Sequence, residues 1–450
     1  MFTQSETRWS APLPARMLKP RVVNALAKAF LGGDAEPEAI VERCSKVLGR
    51  SWRWLRPLAL RYLEAASGVP RLRYRDVVQF LKTDESFRKA CLRHRRKLAI
   101  EEWLPEPQQM QPVAAAASWS LPRIETAGEL ANWLDISPND LAWFADLKGL
   151  AYKQAGQRLR HYHYRILRKD SASIRLIEAP KPRLKEIQRR ILSGILDRIP
   201  VHDAAHGFRK GRSIKTFCSP HVGRRVVLRM DLRDFFPAIS GVRIQSLFRT
   251  IGYPEAVADL LGGLCTNAAP KDLWNGAAWA TQTMYGRPHL PQGAPSSPAL
   301  ANLCAYHADC RLLGLADSVG AQYTRYADDI AFSGNEDFAR CAERFMLRAA
   351  AILAEEGFTV HHRKTRIMRH SVRQQLAGLV VNELMNLRRA DFDELKAILT
   401  NCVRLGPASQ NRQAHPQFRR HLQGRVAFVA GIHPAKGLRL TMLLDQIKWE

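Results

Sequence analysis

Tyr323-Thr324-Arg325-Tyr326-Ala327-Asp328-Asp329-Ile330-Ala331-Phe332-Ser333-Gly334 is the stretch on which the fold turns. Aromatic and β-branched residues flank its central Ala-Asp-Asp on both sides, the pattern of strand, tight turn, strand. Neighbouring side chains on a strand point to opposite faces, whereas at the tip of a hairpin two adjacent carboxylates can approach one site. Acids held together repel each other and need compensating cations. Mg2+, a hard ion that takes carboxylate and phosphate oxygens, meets that need. Taken alone, an Asp-Asp pair in a turn is usually no more than a turn.

A second acidic segment far upstream changes this reading: Val226-Val227-Leu228-Arg229-Met230-Asp231-Leu232-Arg233-Asp234-Phe235-Phe236. A near-continuous apolar run ending in an acid reads as a buried strand that delivers one carboxylate at its end. Asp231 and Asp328 together could bridge two metal ions roughly 3.5–4 Å apart, an arrangement suited to phosphoryl transfer. Asp234 reads better as a structural acid at the strand end.

Charge points the same way. Lys and Arg number 69 against 42 Asp and Glu, a formal net charge of +27, spread along 450 residues. A globular chain this basic usually meets a polyanion, nucleic acid first, although charge alone does not exclude non-specific binding. Hydrophobic residues make up 46% of the chain, enough to build real cores. None of the eight cysteines forms a C-x-x-C pair, which leaves free thiols in a reducing compartment as the default. No apolar run approaches the roughly 20 residues that span a bilayer. Pro12, Pro14 and Pro20 interrupt any amphipathic targeting helix, so the cytoplasm is the expected location.

Apolar spacing is helical from residue 22 to about 105, with Trp52, Arg53, Trp54 and Arg56, then Arg93, Arg95, Arg96 and Lys97, prominent on the polar side. Such residues either grip nucleic acid or form a solvated face with Trp in the core. Residues 105–122, rich in Pro, Gln, Ala and Ser, read as a linker. Residues 126–146 read as two short helices, with Ser137 as N-cap, Pro138 at the first helical position and Asp140 completing a capping box. The pair is either a DNA-reading helix-turn-helix or an ordinary helical hairpin. Short β-rich runs at 162–167, 174–177, 226–230, 322–326, 330–333 and 379–381 alternate with helical stretches such as 184–199. Helical periodicity returns from Asp391. Strands without regular βαβ alternation imply an α+β fold.

The blocks MDLRDFF (230–236), LPQGAPSSPALANL (290–303) and YTRYADD (323–329) occur in the order found in reverse transcriptases. From His161 to about Ile447, roughly two thirds of the chain, the sequence resembles bacterial retron-type reverse transcriptases, kin of group II intron enzymes. IEAPKPRLKEIQRRIL (177–192), AHGFRKGRSI (205–214), GLCTNAA (263–269) and GRVAFVAGIHPAKG (424–437) support the resemblance. It implies a right-hand polymerase with fingers, an antiparallel palm sheet and a helical thumb behind a helical N-terminal extension. The implied boundaries are 1–105 for the basic extension, 106–122 for the linker and 123–225 for N-terminal helices and fingers. The palm, with finger insertions, covers 226–385 and the thumb 386–450.

By this resemblance Asp231, Asp328 and Asp329 are the catalytic and metal-binding carboxylates for two Mg2+ ions, with Asp328 the stronger ligand of the adjacent pair. Phe236, five residues after Asp231, matches an aromatic gate against the ribose 2′-hydroxyl; otherwise it and Phe235 are core residues. Gln292 matches a residue contacting the incoming nucleotide. Arg168, Lys169 and Arg175 lie on the expected fingers hairpin, where basic residues grip the triphosphate of dNTPs. Which of Arg168 and Lys169 points inward depends on register. Lys364 resembles a lysine that protonates the leaving pyrophosphate; contact with nucleic-acid backbone is the other reading. Arg419, Arg420, Arg425 and Lys436 fit a thumb that tracks the template–primer duplex.

Retron enzymes carry N-A-x-x-H before the first catalytic strand and V-T-G in the thumb region. Here Phe217-Cys218-Ser219-Pro220-His221 keeps only the His, and Leu376-Ala377-Gly378 keeps only the Gly. The resemblance assigns His221 and Gly378 to recognition of the cognate RNA. It implies a structured noncoding RNA and its branched DNA product as partners, host RNase H, an effector protein, no membrane, and a role in antiviral defence in the bacterial cytoplasm. A different priming route and a non-catalytic RNA-binding or maturation protein are the alternatives.

Overall fold

The computed structural model describes residues 18–66, 72–103, 108–153, 160–169, 173–274 and 279–449; the side chains of 152, 153, 168, 169 and 173 lie outside the described set. The chain divides into two units. The first comprises Met1–His161, Lys181–Ile199 and Gly241–Pro270, the second Tyr162–Pro180, Pro200–Ser240 and Lys271–Glu450.

The described part of the first unit is helical. It begins with α1 (Pro20–Leu31), α2 (Pro37–Val47), α3 (Leu55–Ala66), α4 (Tyr74–Thr83) and α5 (Glu85–Arg93). Their apolar stripes converge on one core that includes Leu26, Phe30, Ile40, Leu55, Leu58, Val77, Leu81 and Phe87. Pro20 opens α1 with a φ already suited to a helix. Asp84 caps α5 by accepting the Phe87 N–H at 2.7 Å, and the same carboxylate pairs with Arg61 at 2.7 Å. Trp52 is buried in this core and Trp54 packs against it, so the indoles serve packing while the neighbouring arginines stay in solvent.

The stretch from Gln108 to Pro122, linker-like in composition, is tied down within this unit. The Gln111 N–H donates to the Gly252 carbonyl at 2.9 Å, and the Tyr253 hydroxyl donates to the Pro122 carbonyl at 3.2 Å. Beyond it come α6 (Ala127–Leu134) and α7 (Pro138–Ala145). Thr126 and Ser137 cap them, each hydroxyl accepting the N–H three residues on at 3.1 Å. Both helices lie against the helix Glu255–Cys265, with Leu130, Leu134 and Leu141 buried. The expected helix over 184–199 runs from Pro182 to Gly194 and gives way to a 3₁₀ turn, Leu196–Arg198.

All ten described strands lie in the second unit. β1 (Tyr162–Lys169) and β2 (Ser173–Pro180) form an antiparallel ladder from Tyr162↔Pro180 to Lys169↔Ser173. The main sheet contains β3 (Val226–Arg233), β4 (Gln322–Tyr326), β5 (Asp329–Gly334), β6 (Thr359–Val360) and β7 (Arg366–Arg369). Its order is β4-β5-β3-β6, with β7 also on β3. The long helix Glu336–Glu355 packs on this sheet, Phe345 meeting Phe332 edge-on at 4.9 Å. β8 (Gln375–Leu376), β9 (Leu379–Val380) and β10 (Asn386–Leu387) form a small third sheet. Helices Arg389–Leu405, Phe418–Ile432 and Pro434–Asp445 close the chain around Leu395, Leu399, Leu422, Val426 and Leu440. Mixed helices and antiparallel sheets bear out the α+β class.

Candidate catalytic site

Every group described in this section belongs to the second unit. The register Tyr326↔Asp329 leaves Ala327 and Asp328 as a two-residue turn between β4 and β5. Ala327 takes a left-handed φ of 55°, a strained choice for a residue with a Cβ. Several contacts hold it there. The Leu232 N–H donates to the Asp328 carbonyl at 2.9 Å, joining the turn to β3. Residues 204–206 flank β4: the His206 N–H donates to the Arg325 carbonyl, and the Arg325 N–H to the Ala204 carbonyl, each at 2.7 Å. Gly207 then lies against the turn so closely that a Cβ there would sit 2.6 Å from the Ala327 nitrogen.

The two acidic segments lie side by side at one end of the main sheet. Asp231 pairs directly with Asp329 across β3 and β5, and Asp328 follows the turn beside them. Each of the paired acids has a cation. The Lys364 Nζ donates to both Asp231 oxygens, at 2.9 and 3.2 Å. Arg229, two residues before Asp231 on the same strand face, donates to the Asp329 Oδ1 from Nε at 3.0 Å and Nη2 at 2.7 Å. Burial raises the Asp328 carboxyl above the usual carboxylate range, and the Asp329 and Asp231 charges add to the rise. Among the described residues no group of three or more His, Cys, Asp or Glu side chains is drawn together into a ready metal site. The donor chemistry nevertheless fits a hard cation. Three carboxylates share one strand end, and the charge on Asp328 remains destabilised despite Lys364.

Behind the turn lies a buried network that the sequence did not announce. Arg325, 1% exposed, donates from Nε and Nη2 to both oxygens of Asp309, each at 2.7 Å. Its Nη1 reaches the Asn302 Oδ1 at 3.1 Å and the Ala327 carbonyl at 3.2 Å. The Tyr323 hydroxyl donates to Asp309 at 2.6 Å, and the Asn302 amide donates to the Gly207 carbonyl at 2.9 Å. Asp309 outweighs burial and keeps Arg325 charged. The readable signal was an arginine at a buried position of an otherwise aromatic and β-branched strand.

Phe235 is core, its ring 5.5 Å from that of Phe358. Phe236 is half-buried and meets the exposed Phe208 ring at 5.9 Å. Asp234 takes a left-handed φ of 49° at the strand end and pairs with Arg233 at 3.3 Å. After Ile239 the chain binds the LPQG segment, the Leu290 N–H donating to the Ile239 carbonyl at 3.0 Å. Gln292, half-buried, accepts the Glu178 N–H from β2 at 2.9 Å through its carbonyl. The wholly buried Glu178 also accepts from the His289 Nε2 at 2.9 Å. Burial lowers the imidazole pKa, but Glu178 outweighs it and the net direction is up. Burial raises the Tyr285 pKa, and the charge of Arg175, half-buried on β2, offsets only a small part of that rise. The side chains of Arg168 and Lys169 lie outside the described residues.

His221 requires a correction. It is fully buried, with Nδ1 2.6 Å from the Ser333 hydroxyl and Nε2 2.7 Å from that of Thr324. Burial, then the Arg224 and His206 cations, pulls its pKa down to about 3. A ring buried against the face of β4 and β5, with both nitrogens taken by the sheet's own hydroxyls, has no surface to offer an RNA. Gly378 also has a reason within the fold, and in its case a local one. Leu376↔Leu379 leaves Ala377 and Gly378 as a two-residue turn, with φ of 44° and 85°. That is the geometry of a type I′ hairpin, which favours Gly.

Residues 166–381 match the family model described as "Reverse transcriptase (RNA-dependent DNA polymerase)". Retron Mx65 reverse transcriptase of Myxococcus xanthus is 35% identical over 97% of this chain and 93% of its own length. Retron Mx162 reverse transcriptase of the same organism is 34% identical over 73% of this chain and 68% of its own. Retron Ec86 reverse transcriptase of Escherichia coli is 29% identical over 61% and 77%.

Proposed function

The chain belongs to the bacterial retron-type reverse transcriptases and is an RNA-directed DNA polymerase; from that premise we propose that it copies a structured noncoding RNA into a branched RNA–DNA product. The observation that carries the reading is the meeting of Asp231, Asp328 and Asp329 at the β4–β5 turn and the end of β3. In this reading the main sheet is the palm, the β1–β2 hairpin belongs to the fingers and the three C-terminal helices form the thumb.

Asp231 and Asp328 would hold two Mg2+ ions, with Asp329 in support; such ions, when bound, would supply activation of the priming hydroxyl and neutralisation of the triphosphate and leaving pyrophosphate. Arg175, with Arg168 or Lys169, grips the triphosphate. The half-buried ring of Phe236 occupies the space a ribose 2′-hydroxyl needs, and Gln292 contacts the incoming nucleotide. Lys364 guards Asp231 in the free protein. On nucleotide binding its ammonium turns to the phosphates, either to give a proton to pyrophosphate or to hold the backbone. The steady partner of Asp329 is Arg229, which leaves Asp328 the freer ligand.

Departures at Phe217–Cys218 and Leu376–Ala377 favour one second reading, priming from a free 3′ end or from protein. The retained His221 and Gly378 have fold-level explanations and do not decide between the two. The test is to purify the protein with its bound nucleic acid, beside an Asp328→Asn control. A short DNA that survives RNase and shortens after debranching supports the branched product. Unbranched or protein-linked DNA establishes the second reading, and DNA made equally by the control refutes the assigned site. Loss of protection against phage in the same variant tests the role in defence.

A further inference from the structure

The first unit carries a cationic surface to which the candidate catalytic site contributes no residue. Two segments far apart in sequence supply it: the α2–α3 connection, with Arg50 and Arg53, and the end of α5 with the turn after it, with Arg93, Arg95, Arg96 and Lys97. The buried Trp52 joins them. Its ring lies 4.7 Å from that of His94 at a tilt of 51°, and the Arg50 guanidinium lies 3.8 Å from the ring centroid. All six cations are exposed, and none forms an ion pair among the described residues. Some exposed cations elsewhere on these helices do pair, Lys46 with Glu42, Arg56 with Glu38 and Lys89 with Glu85, while the exposed Arg21, Lys28 and Lys82 are scattered singly along α1 and α4. The C-terminal dipole of α5 accounts for a basic residue in its last turn. It does not account for Arg50 and Arg53, which come from another segment.

An aromatic ring stands at the edge of this surface. The Glu101 N–H donates to the Val47 carbonyl at 3.0 Å, which brings residues 101–103 alongside the end of α2. Two residues on, Trp103 is 51% exposed. Glu101 and Glu102 are the acids at this margin. Unpaired guanidinium groups, with an exposed indole two residues along the chain from the Glu101–Val47 hydrogen bond, match the chemistry of folded RNA: phosphates along a duplex, and an unstacked base to cover the ring.

We propose that Arg50, Arg53, Arg93, Arg95, Arg96, Lys97 and Trp103 form a docking surface for a hairpin of the partner RNA. The inference rests on the reading that the enzyme works on a structured RNA. Guanidinium forks suit phosphate oxygens, and the partner is held by shape and charge rather than by sequence.

The experiment uses the full chain and an RNA hairpin of about 16 base pairs, the span of a shape-reading surface, with an unpaired loop. Hydrogen exchange should show protection at 49–56 and 93–98 when the hairpin is added. Substitution of Arg50, Arg53, Arg95 and Arg96 by Gln should abolish that protection and weaken binding more than tenfold. It should also flatten the logarithmic salt dependence by about 3–4, near one unit per lost phosphate contact. Trp103→Ala should weaken binding of the looped hairpin and not of a blunt duplex. Extension of oligo(dT) on poly(rA), by wild type and the quadruple variant alike, reports the polymerase separately. If extension is absent, the catalytic reading fails while the binding result still stands. Unchanged hairpin affinity in the quadruple variant overturns the proposal. So does loss of binding to phosphatidylglycerol vesicles alone, which would make the surface a lipid contact.

Discussion

Arg325→Met removes a charge from a place where its partner cannot reach water. Arg325 and Asp309 are each 1% exposed and share two hydrogen bonds of 2.7 Å. Taking one member of such a pair away leaves a buried, uncompensated charge and destabilises by about 3–5 kcal/mol. At roughly 2–4 °C per kcal/mol for domains of 150–250 residues, the melting temperature of the second unit should fall by on the order of 10 °C. The double variant Arg325→Met, Asp309→Leu discards both charges, and apolar replacement of a buried pair is often near neutral. It should regain most of the lost stability, short of about 1–3 kcal/mol for the Tyr323 hydroxyl left without its acceptor. Activity should not return with stability. In both variants the Ala327 carbonyl and Asn302 have lost the donor that fixes them, and the left-handed turn carrying Asp328 is no longer locked. Thermal melts paired with single-nucleotide incorporation on poly(rA)/oligo(dT) read the two effects apart. A melting temperature for Arg325→Met close to wild type, or full activity in the double variant, would refute the argument.

Asp328→Asn should reduce incorporation by more than about 10³-fold, and Asp329→Asn by less, because Arg229 already neutralises Asp329; equal losses would contradict the ranking, and chelation by EDTA should silence the wild type. Phe236→Ala should raise incorporation of rNTP relative to dNTP by about tenfold or more, as expected when a clash worth about 1.4 kcal/mol or more is relieved; an unchanged ratio removes the gate. Gly207→Ala forces a Cβ to within 2.6 Å of the Ala327 nitrogen and should lower kcat with a smaller effect on KM; normal kinetics would show that the turn adapts. His221 is neutral in the fold with a pKa of about 3 and titrates near 6.5 when unfolded. Between these values the unfolded chain binds more protons, so His221 makes stability rise with pH by about 1.4 kcal/mol per unit. The gain is complete above about pH 6.5 and is lost as the pH falls toward 3. His221→Gln should flatten that slope in denaturant titrations, and an unchanged slope would refute it.

Much of the site was legible because its signals are local. An apolar run ending in Asp231, and aromatic and β-branched residues around Ala-Asp-Asp, specify strand ends and a turn through period-two alternation and chain reversal. The Ser137 cap and the Pro138 helix start were visible for the same reason: both act within one turn of helix. Less was legible where the partner lies far along the chain. Nothing near His221 reveals that its two nitrogens meet hydroxyls more than a hundred residues away, so a motif position looked like an RNA contact. The stretch before Pro122 read as a linker because composition records local stiffness, while its bonds to Gly252 and Tyr253 are made at long range.

The sequence by itself therefore determined the α+β class and the strand, turn and strand that carry Asp328 and Asp329, since each follows from nearest-neighbour pattern. Tertiary structure alone decided which cation each acid keeps: Lys364 for Asp231 and Arg229 for Asp329, with Asp328 raised by burial. It alone placed Arg325, Asp309, Asn302 and Gly207 behind the turn. Charge pairing and desolvation depend on distance in space and on exclusion of water, and the order of residues along a chain specifies those only after it has folded.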